Sequence, residues 1–111
     1  MMETLYYTHD YENDTTYTFE PGNTRSRITM TYTSEDPDFG TEILVYGGDG
    51  NEKELAGELL SDISRCLDIQ ENPPRFARAA DFDLQYYDNN YSRTSLIAFE
   101  AMLLEIMERL A

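Results

Sequence analysis

The chain has 111 residues, of which 41% are hydrophobic, and its 22 acidic and 8 basic residues give a formal net charge of −14. This length predicts a single domain, residues 1–111, with one modest core, and the hydrophobic content excludes a compositionally disordered chain. A surface this negative repels nucleic acids and anionic membranes, which are polyanions, and attracts basic proteins and cations.

The single cysteine and the lack of long apolar runs indicate the cellular compartment of the protein. Cys66 is the only cysteine, so no intramolecular disulfide can form, which fits a reducing compartment. The start, MMETLYYTHDY, has neither the basic region nor the apolar run of a signal peptide. No apolar stretch reaches the ~20 residues that a membrane helix needs. We therefore expect a cytoplasmic protein.

The first half of the chain carries the alternating pattern of β-strands, with Thr and Tyr dominant. The candidate strands are residues 4–9, 15–20, 26–33 and 41–48. The last of these, TEILVYGG, is more continuously apolar, which favours a central or well-covered strand. Pro21 and Gly22 provide a tight turn between the second and third runs. The pattern predicts an antiparallel sheet with one polar face.

The second half changes to helical periodicity. Residues 51–69 carry an apolar stripe at three- and four-residue steps, with Asn51 as N-cap and Glu54 in the capping-box position. A last helix over 92–110, capped by Ser92 or Thr94, has a wider stripe that includes Ile97, Met102 and Leu104. The predicted fold class is α+β: an antiparallel sheet of three to five strands, mainly in the N-terminal half, with two helices (about 51–69 and 92–110) packed on one face.

Residues 73–91 are harder to interpret. After Pro73 and Pro74, the pattern allows a short helix over 75–80 and then a strand over 82–87. Asp88, Asn89 and Asn90 indicate a turn.

The residue types that catalysis requires are scarce. His9 is the only histidine, and its neighbour Asp10 would point to the other face of a strand. The run YGGDGN lacks the Lys-Ser/Thr of a phosphate-binding loop. Acids two residues apart offer oxygen atoms to calcium, but solvated turns explain them better. We therefore expect a protein that is not an enzyme and has neither a metal site nor a cofactor.

Carboxylates recur at regular spacing among tyrosines. Glu54, Glu58 and Asp62 stack along one side of the first helix, and acids two residues apart share one face of a strand. A tyrosine ring beside a carboxylate suits arginine, because the ring stacks on the guanidinium while the acid pairs with it. We expect this surface to bind a basic partner. The candidate partner-binding residues are Asp10, Glu12, Asp14, Asp36, Asp38, Glu54, Glu58, Asp62, Asp81, Asp83, Tyr86, Tyr87, Asp88 and Tyr91.

In its size, its charge and its pattern of carboxylates among tyrosines, the whole chain resembles the small acidic phage inhibitors of host defence, namely anti-CRISPR and anti-restriction proteins. The resemblance implies a nucleic-acid mimic, which occupies the basic groove of a nucleic-acid-handling protein. Bacterial immunity proteins that neutralise basic toxins fit equally well on charge. The alternative prediction is a homo-oligomeric interaction or chaperone-like module that forms a homodimer through its C-terminal helix.

Overall fold

The first half of the chain forms one antiparallel sheet of four strands. The structure, a computed structural model, describes residues 5–10, 14–22, 24–34, 40–76, 81 and 84–110. The strands lie in the order in which they occur in the chain, each antiparallel to the next. This confirms the predicted sheet. The strands are β1 (Leu5–Asp10), β2 (Asp14–Glu20), β3 (Ser26–Thr33) and β4 (Thr41–Gly48).

Three helices follow in the described part of the chain: α1 (Glu52–Glu71), α2 (Gln85–Asn90) and α3 (Arg93–Leu110). The two long helices pack against each other, α1 over β3 and β4 and α3 over β2 and β3. Both predicted helices are therefore confirmed, together with the two-layer α+β arrangement that places them on one face of the sheet.

The alternation along the strands separates a core face from an open face. Tyr17, Met30 and Leu44 lie directly opposite one another on β2, β3 and β4, and all three are buried beneath the helices. The other face, here named the outer face, has two central rows of cross-strand neighbours, with Glu20 and Arg27 paired at one end and Asp10 and Asp14 paired at the other. These rows are Thr16–Thr31–Ile43 and Thr18–Thr29–Val45. The centre of the predicted polar face is thus mainly threonine.

The position predicted for the last strand is wrong, because β4 is the final strand in the sheet order and not a central one. Its apolar run looked continuous because both of its faces carry apolar side chains. Leu44 is buried under the helices, whereas Ile43 and Val45 are each 55% exposed on the outer face. Only one face of β4 is covered, since α1 and α3 both pack on the same side of the sheet.

The caps of the long helices follow from local sequence. The Asn51 side chain accepts a hydrogen bond from the Glu54 backbone N–H at 3.0 Å, as the capping box requires. Gly50 precedes it at φ +124°, where a Cβ would strike the Glu54 side chain, so glycine is needed there. At α3, the Ser92 hydroxyl accepts from the Ser95 N–H at 3.2 Å, which makes Ser92 the cap.

The apolar stripes agree with the predicted periodicity. Every residue of the α1 stripe is buried, including Cys66. On α3, Leu96, Phe99, Met102, Leu103 and Ile106 are buried and Met107 and Leu110 are partly buried, but Ile97 and Leu104 are exposed. The stripe of α3 is therefore wide enough to cover the sheet and α1, with two apolar residues left on the outside.

The strand predicted over 82–87 is wrong for the residues described there, because Gln85–Asn90 is a helix. The turn predicted at Asp88, Asn89 and Asn90 is wrong for the same reason. Tyrosine and asparagine favour strands and turns in isolation, but packing against α1 overrides that preference. Most of the short helix predicted over 75–80 lies outside the described residues.

Candidate functional site

Three predicted carboxylates lie along one flank of α1. Glu54, Glu58 and Asp62 are separated by four residues each, about 6 Å along the helix axis. Like charges at this spacing repel each other weakly, so the row does not contribute to the stability of the helix. Its position follows from the stripe that buries Leu55, Leu59 and Ile63 on the adjacent side.

Two tyrosines from other elements donate hydrogen bonds to this row. The Tyr46 hydroxyl, at the end of β4, donates to Glu58 at 3.1 Å. The Tyr87 hydroxyl, on α2, donates to Asp62 at 3.3 Å. A phenol donor carries no charge, so it fixes the position of a carboxylate without neutralising it.

The second predicted group, on α2, supplies an aromatic cluster. Tyr87 is 7% exposed and Tyr86 is 57% exposed, so one neighbour of the predicted pair points inward and the other outward. The centroids of their rings lie 5.8 Å apart in an edge-to-face arrangement, and the ring centroids of Tyr86 and Tyr91 lie 6.1 Å apart. Tyr91 in turn packs edge to face on buried Phe99 of α3 at 6.1 Å. The exposed ring of Tyr86 thus packs on Tyr87 and Tyr91, and Tyr91 in turn packs on the core.

The corner between α2 and α3 is bonded to β4. The Tyr91 hydroxyl donates to the Ile43 carbonyl at 3.0 Å. The Glu42 carboxylate accepts from the Ser92 backbone N–H at 2.7 Å and from its hydroxyl at 2.6 Å. Together with the bonds from Tyr46 to Glu58 and from Tyr87 to Asp62, these bonds bring β4, α1 and α2 into one patch, here named the tyrosine–carboxylate surface. It comprises Glu42, Tyr46, Glu54, Glu58, Asp62, Tyr86, Tyr87 and Tyr91.

Three phenols of this surface, those of Tyr46, Tyr87 and Tyr91, have a raised pKa. The pKa of Tyr46 is raised to about 12, first by burial and then by its hydrogen bond to Glu58 and the charges of Glu58 and Asp62. Burial, followed by the Asp62 charge, also raises the pKa of Tyr87. Burial and the bond with Tyr86 raise that of Tyr91. Each phenol therefore stays a neutral donor beside its carboxylate at physiological pH.

These pKa shifts predict a loss of stability in alkali. The folded-state pKa of Tyr46 is about 12, against 10.0 for the ordinary phenol, so the proton binds more tightly in the folded protein. The associated stabilisation is complete below about pH 10 and is lost as the pH rises towards 12. Urea unfolding over a pH series measures it, and Tyr46→Phe with Tyr87→Phe should flatten the decline. Phenolate absorbance rising for every tyrosine at the ordinary pKa would contradict this account.

Two other predicted acids face away from this surface. Asp81, expected at the surface, is only 8% exposed and accepts two hydrogen bonds from the Arg65 guanidinium at 3.3 Å. Asp88 accepts from the Cys66 thiol at 3.3 Å and from the Gln70 amide. The negative charge of Asp81 is therefore paired with Arg65 within the fold.

The buried Cys66 lines a small pocket of about 190 Å³ together with Asp81 and Asp88. Burial, and then the hydrogen bond and charge of Asp88, raise the pKa of its thiol to about 12. A thiol at neutral pH is a poor nucleophile, so maleimide should label the native protein slowly and the urea-unfolded protein rapidly. Mass spectrometry follows the reaction, with Cys66→Ala as the blank. Native labelling at the unfolded rate would place the thiol at the surface.

The remaining predicted residues fall outside the side chains that the structure describes. Glu12, Asp36, Asp38 and Asp83 lie outside the described residues, and Asp10 and Asp14 are described only as positions in β1 and β2. Conversely, Glu42 and Tyr46 were not predicted as site residues. Tyr46 lies two residues after Leu44 on the core side of β4, and this spacing was the available signal.

No family model matches this sequence, and neither a curated protein nor a solved structure is significantly similar to it. Within the described ranges, no three His, Cys, Asp or Glu side chains are grouped so that they could hold a metal ion. Of the helices described, none combines the length and the apolar character needed to cross a membrane.

Proposed function

We propose that this protein is a small acidic inhibitor that binds a basic, nucleic-acid-handling protein through its tyrosine–carboxylate surface. The observation that carries the proposal is the row of Glu54, Glu58 and Asp62, two of whose members are positioned by the neutral phenols of Tyr46 and Tyr87. Negative charges at fixed, regular intervals on a rigid support can take the place of backbone phosphates in a basic groove.

The aromatic part of the surface supports the same partner chemistry. Tyr86 offers an exposed ring beside the carboxylates, and its neighbours Tyr87 and Tyr91 hold that ring against the core. An arginine that reaches this patch can stack on the ring and pair with an acid in one contact. Proteins that bind nucleic acid are rich in such arginines. The net charge of −14 would draw the two molecules together.

The functional class that we propose is that of the anti-CRISPR and other phage anti-defence inhibitors. The test is a DNA-cleavage assay with a panel of CRISPR effector nucleases and restriction enzymes, with the protein added before the DNA. We expect inhibition of at least one nuclease, relief by excess DNA, and association that slows steeply as salt shortens the Debye length to ~8 Å. Inhibition that neither DNA nor salt affects would contradict a nucleic-acid mimic.

A second candidate is the homo-oligomeric interaction or chaperone-like module that dimerises through the C-terminal helix. The exposure of Ile97 and Leu104, which lie seven residues apart on one side of α3, favours it. The oligomeric state of Leu104→Asp tests it, since a charge at the centre of that contact should give a monomer.

A further inference from the structure

We propose that a pocket on the outer face of the sheet binds a small organic carboxylate that carries one negative charge. The pocket has a volume of about 400 Å³ and is open to solvent. It is on the side of the sheet that faces away from the helices, whereas the carboxylate row belongs to α1. The inference goes beyond the proposed inhibitor function and does not depend on it. Among the residues that line the pocket are Glu20, Arg25, Arg27, Val45 and Gly47.

The pocket exists because one cross-strand row of the outer face lacks a side chain. Glu20, Arg27 and Gly47 lie directly opposite one another on β2, β3 and β4. Glu20 is ion-paired with Arg27, and Gly47 leaves an open space beside this pair. The exposed Val45, two residues earlier on the same face of β4, adds an apolar wall. The sheet thus forms a depression bounded by charged and apolar side chains.

The backbone does not require glycine at position 47. Its φ is not among the positive values found in this structure, which belong to Gly40 and Gly50. A Cβ at Gly47 would meet only the Ser26 carbonyl oxygen, at an ordinary contact distance of 3.6 Å. Glycine inside a strand weakens the strand and often marks a place where a ligand approaches closely. The missing side chain therefore points to a ligand independently of the charges around it.

The lining is positively charged although the molecule as a whole is strongly acidic. Its two arginines and one glutamate give a formal charge of +1, against −14 for the whole chain. Arg27 is paired with Glu20, but Arg25 donates only to the Gly47 carbonyl, at 3.4 Å. Among the described residues, no carboxylate forms an ion pair with Arg25. A guanidinium has five N–H donors, so most of those of Arg25 remain for a ligand.

The charge and the apolar wall together define the class of ligand. A planar carboxylate can accept two parallel hydrogen bonds from one guanidinium, which suits Arg25. An apolar body attached to that carboxylate can lie against Val45, which a bare inorganic ion cannot do. The net charge of −14 repels an anion in proportion to the charge of that anion, so a single negative charge is favoured over a polyanion such as nucleic acid.

Titration of the protein with benzoate, followed in amide NMR spectra, tests the inference. We expect the amide resonances of Arg25, Arg27 and Gly47 to shift and to saturate at millimolar benzoate, the range expected for a ligand of so few atoms. Benzyl alcohol, which has the ring without the charge, should produce no saturating shift. Inorganic phosphate, which has charge without an apolar body, should bind more weakly than benzoate.

Four variants identify the groups responsible. Arg25→Gln should weaken benzoate binding about tenfold, because it removes the available guanidinium. Arg75→Gln removes the same charge from an exposed site outside the pocket and should leave binding unchanged. Glu20→Gln should strengthen binding, because it removes the acid that competes for Arg27. Gly47→Val should fill the space and abolish binding without lowering the melting temperature, since its Cβ fits. Circular dichroism checks folding, and Arg25→Gln alone decides if Gly47→Val unfolds.

The absence of a saturating shift with benzoate would overturn the inference, and the space above Gly47 would then serve only to seat Arg25. Equal weakening by Arg75→Gln and Arg25→Gln would also overturn it, because the anion would then respond to total charge alone. Phosphate binding as tight as benzoate binding would contradict the organic carboxylate as ligand. Nuclease inhibition is measured separately, so failure of this site can be distinguished from failure of the inhibitor proposal.

Discussion

Replacing Phe99 with alanine should lower the free energy of unfolding by about 3–5 kcal/mol, the range measured for large aromatic truncations in cores. Phe99 is completely buried, and its ring supports Tyr91, which in turn bonds β4. The substitution would open a cavity and also remove the base of the aromatic cluster. Equilibrium unfolding in urea measures the loss, and the total stability of a domain is usually about 5–15 kcal/mol.

Two milder variants separate the cavity from the contact with Tyr91. Phe99→Leu retains most of the buried volume and should cost about 1–2 kcal/mol. Tyr91→Phe retains the ring but loses the bond to the Ile43 carbonyl, at a cost of about 1 kcal/mol. A Phe99→Ala protein as stable as Phe99→Leu would mean that the site collapses without a cavity, contrary to this account of the packing.

The strands and the two long helices could be predicted from sequence because their signals are local and agree with one another. Residues 26–33 alternate strictly, and β3 covers those residues. Asn51 and Glu54 mark the start of α1 in the same stretch in which apolar periodicity begins. Where capping, periodicity and turn residues all favour one structure, tertiary contacts reinforce the local preference.

Helix α2 could not be predicted in this way. It has six residues, and a helix that short is unstable by itself because nucleation is costly. It is stabilised by contacts distant in sequence, such as the Tyr87 bond to Asp62 and the packing of Tyr91 on Phe99. The local signal of tyrosine and asparagine pointed to a strand and a turn, and these contacts override it.

The part of the candidate site that lies within one helix could also be predicted from the sequence. The row of Glu54, Glu58 and Asp62 follows from helical spacing alone, so periodicity predicts it. The role of Tyr46 depends on α1 lying over β4, and the burial of Asp81 depends on Arg65 approaching from α1. Sequence spacing identifies groups within one element, whereas contacts between elements require the packed fold.

The largest effect on partner binding should come from removing two charges of the α1 row. In Glu58→Gln with Asp62→Asn, each amide retains most of the shape of the acid, but a partner arginine or lysine would be left unpaired. Such a loss costs about 2–5 kcal/mol when the pair is desolvated. Since 1.4 kcal/mol is tenfold in Kd, the double variant should bind the inhibited nuclease at least tenfold more weakly. Calorimetry at one fixed salt concentration measures it.

The matched control removes the same number of charges elsewhere. Glu71→Gln with Glu108→Gln changes two exposed acids at the end of α1 and on α3, so the two double variants have equal net charge. If the acids act through their position, the control should bind as wild type does. Equal weakening of both would mean that only total charge matters, and no weakening of either would reduce the acidic surface to a role in solubility.

Replacing the exposed Tyr86 separates the contribution of ring stacking to partner binding from the contribution of charge. Tyr86→Ala removes a side chain that is 57% exposed, so the melting temperature should change little, by the equivalent of about 0.5 kcal/mol or less. Binding should nevertheless weaken, because an arginine that pairs with the row would lose its stacking surface. If Tyr86→Ala binds normally while the double amide variant does not, the partner uses the carboxylate row without the ring, and the proposed stacking of an arginine on Tyr86 is contradicted.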